Sequence, residues 1–222
     1  MQKQVKMRVR KKKNGAARFE AASDIITDIK KSEPVMTDPR ELLGNFDSYR
    51  LEIGCGKGTF AVTSAKREPN VGFIAMEVVK DVIIFAAEKA KAEEVTNLKF
   101  VCADAAVISE IFPKGAFDVI YINFCDPWPK ARHAKRRLTY RSFLEKFREL
   151  LSESGHIEFK TDNRPLFDFS LPEFEAAGFD VENVSYDLHA DTSFDNIMTE
   201  YEKNFSEKGF KINRLTAKKH VS

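Results

Sequence analysis

Tyr49-Arg50-Leu51-Glu52-Ile53-Gly54-Cys55-Gly56-Lys57-Gly58 decides the fold. Its first half reads as a short strand, and its second half is a glycine turn that opens a helix running to about Arg67. A strand entering a glycine turn and then a helix is how open α/β sheets begin. The same alternation continues downstream. Strands are expected at Val71–Glu77, Leu98–Cys102 and Phe117–Phe124, with a helix from Asp81 to about Glu94. Beyond them come a helix over Tyr140–Leu151, a strand at His156–Lys160 and a helix over 164–177 that Gly178 stops. Two further strands are expected at Asp180–Leu188 and Phe210–Thr216. The pattern predicts one α/β domain over 15–222, a doubly wound, mostly parallel, seven-stranded sheet with helices on both faces. Phe19, Ala22, Ile25, Ile26 and Ile29 share a helical face, which predicts a helix over 16–31 ended by Pro34 and Pro39.

Charge is unevenly spread. The net charge is only +2, yet residues 1–14 carry seven Lys/Arg and no acid, and residues 130–141 carry six and no acid. An acidic body with two basic patches points to a local polyanion site rather than general stickiness. Residues 1–14 have too little apolar content to pack and are expected to form a flexible basic arm. Cys55, Cys102 and Cys125 lack C-x-x-C spacing, so neither a metal site nor a disulfide framework is expected. No apolar run approaches membrane-spanning length, and the charged N-terminus leads into no apolar signal region. The expectation is a soluble cytoplasmic protein, monomeric or homodimeric.

The glycine turn is not a phosphate loop. A dinucleotide fingerprint would need a third glycine where Thr59 stands, and a P-loop would need Ser or Thr where Gly58 stands. Glu52 beside the turn would repel a pyrophosphate, but it suits a positively charged amino acid group. Glu77, at the next strand end, is placed to accept from ribose hydroxyls. Asp104, past the third strand, can accept from an adenine amino group. Three acids at successive strand ends with Gly54, Gly56 and Gly58 describe a pocket for a phosphate-free nucleoside that carries an amino acid. S-adenosylmethionine is such a molecule.

A second stretch, Asp126-Pro127-Trp128-Pro129-Lys130 with Arg132, His133, Lys135, Arg136 and Arg137, follows the apolar run Val119–Phe124. Its two prolines make it a shaped loop at a strand's carboxyl end, where such sheets keep their chemistry. It offers one carboxylate for a small target and a cationic border for a large anion. Lys130, Arg132, Lys135, Arg136 and Arg137 are expected to bind phosphates, with His133 a phosphate neighbour. Trp128 can stack on a base, but core packing beside the sheet is the favoured reading. His156, His189 and His220 are read as structural.

Glu52-x-Gly54-x-Gly56-x-Gly58 resembles the first motif of the seven-stranded S-adenosylmethionine methyltransferases. The loop motif, Thr161-Asp162 and Thr199-Glu200-Tyr201-Glu202 together resemble the bacterial tRNA (guanine-N7-)-methyltransferase family, over roughly Arg50–Gly209. The resemblance implies that Glu52, Glu77, Asp104 and Asp126 surround the cofactor and that Asp126 is catalytic. It also implies that Lys130, Asp162, Thr199, Glu200, Tyr201 and Glu202 meet the nucleic acid, and that guanine in the variable loop of tRNA is the target. Thr199 and Glu202 equally fit a helix-start capping pattern.

Guanine N7 bears a lone pair and no proton, so its methylation needs no general base; alignment and a carboxylate facing the developing charge would suffice. Three rival readings fit the residues less well. A nicotinamide oxidoreductase is disfavoured by Thr59, and a non-catalytic RNA-binding module leaves Glu52, Glu77 and Asp104 without a purpose. Methylation of a small molecule or protein leaves the basic block without one.

Overall fold

The computed structural model describes residues 14–191 and 194–220; the basic arm expected over 1–14 lies, but for Asn14, outside them. In chain order the helices are α1 Gly15–Glu20, α2 Pro39–Leu43, α3 Thr59–Arg67, α4 Lys80–Ala92, α5 Ile108–Ile111, α6 Arg141–Leu150, α7 Arg164–Ala176 and α8 Glu200–Ser206. The strands are β1 Ile26–Asp28, β2 Ser48–Ile53, β3 Val71–Glu77, β4 Leu98–Cys102, β5 Phe117–Asn123, β6 Leu151–Thr161, β7 Phe179–Ser185 and β8 Asn213–Lys219.

These strands form one sheet in the order β1-β4-β3-β2-β5-β6-β8-β7. The expected α/β doubly wound architecture is present, with eight strands rather than seven. The additional strand is β1, which pairs parallel to β4 with Ile26 opposite Phe100 and Asp28 opposite Cys102. It replaces the second half of the helix expected over 16–31. Only Gly15–Glu20 is helical; the β-branched Ile25-Ile26-Thr27 run instead covers the edge of β4, a tertiary pairing that local periodicity cannot foresee. Likewise, Pro39 starts a short helix, with the Asp38 side chain accepting from the Arg40 amide. Strand β6 starts five residues early, at Leu151, and its register against β5 shifts between Phe117 and Val119.

Strands β2, β3, β4, β5 and β6 run parallel, whereas β8 is antiparallel to both of its neighbours. One face of the sheet packs Ile108 and Ile111 of α5, Leu144, Phe147 and Leu150 of α6, and Leu166, Phe167 and Phe174 of α7. The other face packs Ala61, Val62 and Ala65 of α3 and Ile83, Ala86, Ala87 and Ala90 of α4. Small side chains on α3 and α4 let these helices lie close. Gly58, the α3 N-cap at φ 75°, belongs to this contact, since a Cβ there would fall 2.6 Å from the Ala86 Cβ.

The strand order reverses between β2 and β5. Ligands of open α/β sheets bind outside the strand ends at such a reversal. Here the glycine turn follows β2 and the Asp126 loop follows β5, so the two stretches singled out in the sequence flank one crevice. Glu77 closes β3 beside β2, on the same sheet edge as Asp126.

Candidate active site

The floor of the crevice is buried and polar. Glu52 is 3% exposed and Asn123 is 6% exposed, and Asn123 Nδ2 donates to Glu52 Oε1 at 3.0 Å. Burial pushes the Glu52 carboxyl up to about 7, against the Asn123 hydrogen bond and the charge of Lys160. Glu52 Oε2 and Asn123 Oδ1 are buried acceptors with no hydrogen-bond partner. Two orphaned acceptors at a crevice floor ask for a donor, best a cationic one.

Above this floor the turn is open. Gly54 has φ 81° and Gly56 has φ 56°, and a Cβ at either would meet nothing within 4 Å. That space lets a ligand approach bare backbone. Gly58 differs, because its missing Cβ serves helix packing. Glu77 is held rigidly: its Oε2 accepts from Gly56 N at 3.2 Å, and its Oε1 accepts from Val78 N at 2.9 Å and Val79 N at 3.0 Å. Oε1 is filled by its two amides, and Oε2 keeps accepting capacity for a hydroxyl. Asp104 caps a short 3-10 turn by accepting from Ala106 N at 2.9 Å, and it is bridged by Lys31 at 2.9 Å. Its carboxyl is held below the usual range by these partners despite burial.

The loop after β5 forms the rim. Phe124 and Trp128 carry φ values of 55° and 41°, conformations that cost a non-glycine residue of order 1–3 kcal/mol each. Between them Asp126 is exposed. Ala131–Arg136 forms a 3-10 helix on which Arg132, Lys135 and Arg136 are exposed, as is Lys130 before it. Trp128 is half-buried rather than in the core: the Arg136 guanidinium lies 5.0 Å from its ring centre, and His133 meets it edge-on at 5.8 Å. Arg137 turns away from the other cations. Its Nε donates to Pro127 O at 2.9 Å and its Nη2 to Trp128 O at 3.0 Å, which sets it apart from the phosphate-binding role expected of it.

Helix α8 approaches the same crevice. Lys57 of the glycine turn pairs with Glu200 at 2.9 Å. The Thr199 hydroxyl accepts from Glu202 N at 2.9 Å, as the capping pattern requires. The Glu202 side chain, however, does not return to Thr199; it is completely buried. It pairs with Lys160 at 2.9 Å and accepts from Asn196, with His189 at 3.2 Å. Lys160 also donates to Asn196 Oδ1 and Ile197 O, both at 3.0 Å. Tyr201 is exposed; its hydroxyl donates to Asp162 Oδ2 at 3.3 Å and its ring meets Phe124 at 5.1 Å. Burial raises the Asp162 carboxyl.

Sequence reading missed Asn123, Lys160 and Asn196. The available signal was weak: Asn123 is the single amide in an apolar strand, and Lys160 is next to last in a strand whose apolar alternation, Ile157 and Phe159, omits it.

A family model, Methyltransf_4, described as "Putative methyltransferase", matches residues 47–215. A protein of Brevibacillus brevis named tRNA (guanine-N(7)-)-methyltransferase is 46% identical over 179 residues, covering 80% of this chain and 84% of that one. A protein of the same name from Clostridium tetani is 42% identical over 212 residues, covering 96% and 99%. Among solved structures, the 16S rRNA methyltransferase KamB superposes with TM-score 0.63 at 14% identity, covering 87% of this chain and 98% of that one. An antibiotic-related methyltransferase gives 0.61 at 22%, covering 87% and 99%. At those identities the fold alone is shared.

Proposed function

The chain belongs to the tRNA (guanine-N(7)-)-methyltransferase family, and we propose that Asp126 on the strained rim is its catalytic residue, working over a cofactor floor made by Glu52 and Asn123. The activity is transfer of a methyl group from S-adenosylmethionine to N7 of a guanine in tRNA. The target guanine is assigned to the variable loop. No helix among the described residues is long and apolar enough to cross a membrane, and the enzyme is assigned to the cytoplasm, where its tRNA is.

The observation that carries this reading is the pair of orphaned acceptors, Glu52 Oε2 and Asn123 Oδ1, beneath an open glycine turn. They fit the ammonium of an amino acid group and would repel a pyrophosphate. Glu77 is held for ribose hydroxyls, and Asp104 would receive the adenine amino group once Lys31 releases it. Gly54 and Gly56 give backbone clearance, whereas Gly58 acts through helix packing.

S-adenosylmethionine supplies an electrophilic methyl on a sulfonium. The rest falls to the chain. Guanine N7 needs no deprotonation, so the protein must align it and stabilise the positive charge that grows on the ring. The Asp126 carboxylate, exposed at the rim, faces that charge as it develops. Asp162, with the Tyr201 hydroxyl on it, is placed to accept from the guanine N1–H and amino group. Alignment supplies the larger share, since well-oriented reactants gain of order 7–11 kcal/mol. Lys130, Arg132, Lys135 and Arg136 hold phosphates and His133 lies beside them, while Thr199 and Glu200 border the entrance.

The test is incubation with labelled S-adenosylmethionine and bulk tRNA, followed by mapping of the labelled base. Label at guanine N7 in the variable loop is expected. Label elsewhere, or no binding of the sulfonium compound, overturns the reading.

A further inference from the structure

Six cations lie between Lys130 and Arg141, and five of them look alike in sequence as a phosphate-binding block. One does not behave like the others. Arg137 is half-buried, and its guanidinium lies 4.2 Å from the ring centre of Phe169, which is itself stacked by Tyr140. From that platform it donates to two consecutive carbonyls, Pro127 O and Trp128 O. Among the described residues these are the hydrogen bonds that tie the backbone of 125–129 to the body of the protein. Pro127 and Pro129 have no N–H to offer, and Phe124 N, just before the loop, bonds to Lys160 O at 2.9 Å. The loop is also strained at both ends, at Phe124 and Trp128. A strained segment with few bonds of its own keeps its shape only where something outside over-determines it.

We propose that Arg137 is a positioning residue for Asp126, a fork that fixes the backbone one and two residues past the carboxylate, and not a ligand of RNA phosphate. The proposal rests on the catalytic role given to Asp126. Arginine suits the task because its planar donors reach two acceptors at once and its face stacks on an aromatic ring; lysine offers the same charge without either property. A phosphate contact has the opposite requirement, since charge alone largely satisfies it.

The discriminating variant is therefore Arg137→Lys, compared with Arg136→Ala and Asp126→Ala. Trp128 is the single tryptophan of the chain, so its fluorescence reports on the loop directly. For Arg137→Lys the expectation is a kcat lower by on the order of 10²-fold, the effect of about 1 Å of misplacement. Trp128 should become more accessible to acrylamide, while tRNA affinity, its salt slope and cofactor affinity stay at wild-type values. Phe169→Leu, which changes no charge, should move kcat and Trp128 quenching in the same direction; it serves as the second variant if Arg137→Lys does not fold. Arg136→Ala should lower the salt slope of tRNA binding by about 0.7–0.9, a change that Arg137→Lys should not show. Wild-type kcat and quenching in Arg137→Lys would overturn the inference even if Asp126→Ala is inactive. An active Asp126→Ala would instead overturn the reading on which it rests.

Discussion

The crevice floor and the loop that borders it are both charged, and they use charge in opposite ways. On the floor, Glu52, Lys160 and Glu202 are all but removed from water, on strands or docked against them, and each is answered by a named partner. On the rim, Asp126, Lys130, Arg132, Lys135 and Arg136 stand in solvent on a segment without regular strand or α-helix. A buried charge left without its partner costs stability; an exposed one costs almost none and acts through rate, affinity and salt. The difference teaches where each kind of substitution will be felt. Floor changes should show in folding and in pH dependence, and rim changes in turnover and in ionic strength.

The sharpest way to break that division is Lys160→Met. It strands the fully buried Glu202 and should cost about 3–5 kcal/mol in urea unfolding. Lys130→Ala, at an exposed position, should stay within about 0.5 kcal/mol of wild type. Equal effects would erase the distinction. Next in size is Asp126→Ala, expected to lower kcat by about 10²–10³-fold while the unfolding midpoint and cofactor affinity hold. A wild-type rate would remove Asp126 from the chemistry.

Glu52 gives a pH signature. Its ordinary value is 4.5 and burial takes it to about 7, so it is a group whose folded form holds its proton more tightly than the unfolded one. Its contribution is fully present below about 4.5 and is lost as pH rises to about 7, a loss of about 3 kcal/mol for the ligand-free protein. Glu52→Gln should flatten the stability profile across that window. Because a cationic ligand prefers the ionised carboxylate, S-adenosylmethionine affinity should weaken as pH falls below about 7 in the wild type and lose that dependence in the variant. A profile unchanged by Glu52→Gln would mean that the carboxyl ionises as if exposed. The smallest effect is on the rim: Lys135→Ala should lower the salt slope of tRNA binding by about 0.7–0.9, with no change in folding.

Much of the crevice was legible because its parts are local. The strand, glycine turn and helix around Glu52 lie in one stretch of sequence, β3 and β4 fall where their apolar runs begin and end, and Thr199 caps α8 as its spacing foretold. What escaped is set by pairing across the chain. β1 carries a helical apolar pattern yet becomes an edge strand because β4 offers an open edge. Lys160 and Glu202 are 42 residues apart, and neither one's neighbours announce that both will be buried. Arg136 and Arg137 are adjacent and chemically identical; only the position of Phe169 beneath one and Trp128 beneath the other separates their tasks.

The division between floor and rim is tested most directly by one salt titration that reads both ligands on the same protein. Between about 50 and 200 mM salt, tRNA affinity should fall steeply, in proportion to the phosphates that the rim neutralises. S-adenosylmethionine affinity should change little, because Glu52 and Asn123, which receive its ammonium, are buried beyond the reach of counterions. If cofactor affinity fell in step with that of tRNA, or if tRNA binding ignored salt, the two regions would not be divided as described.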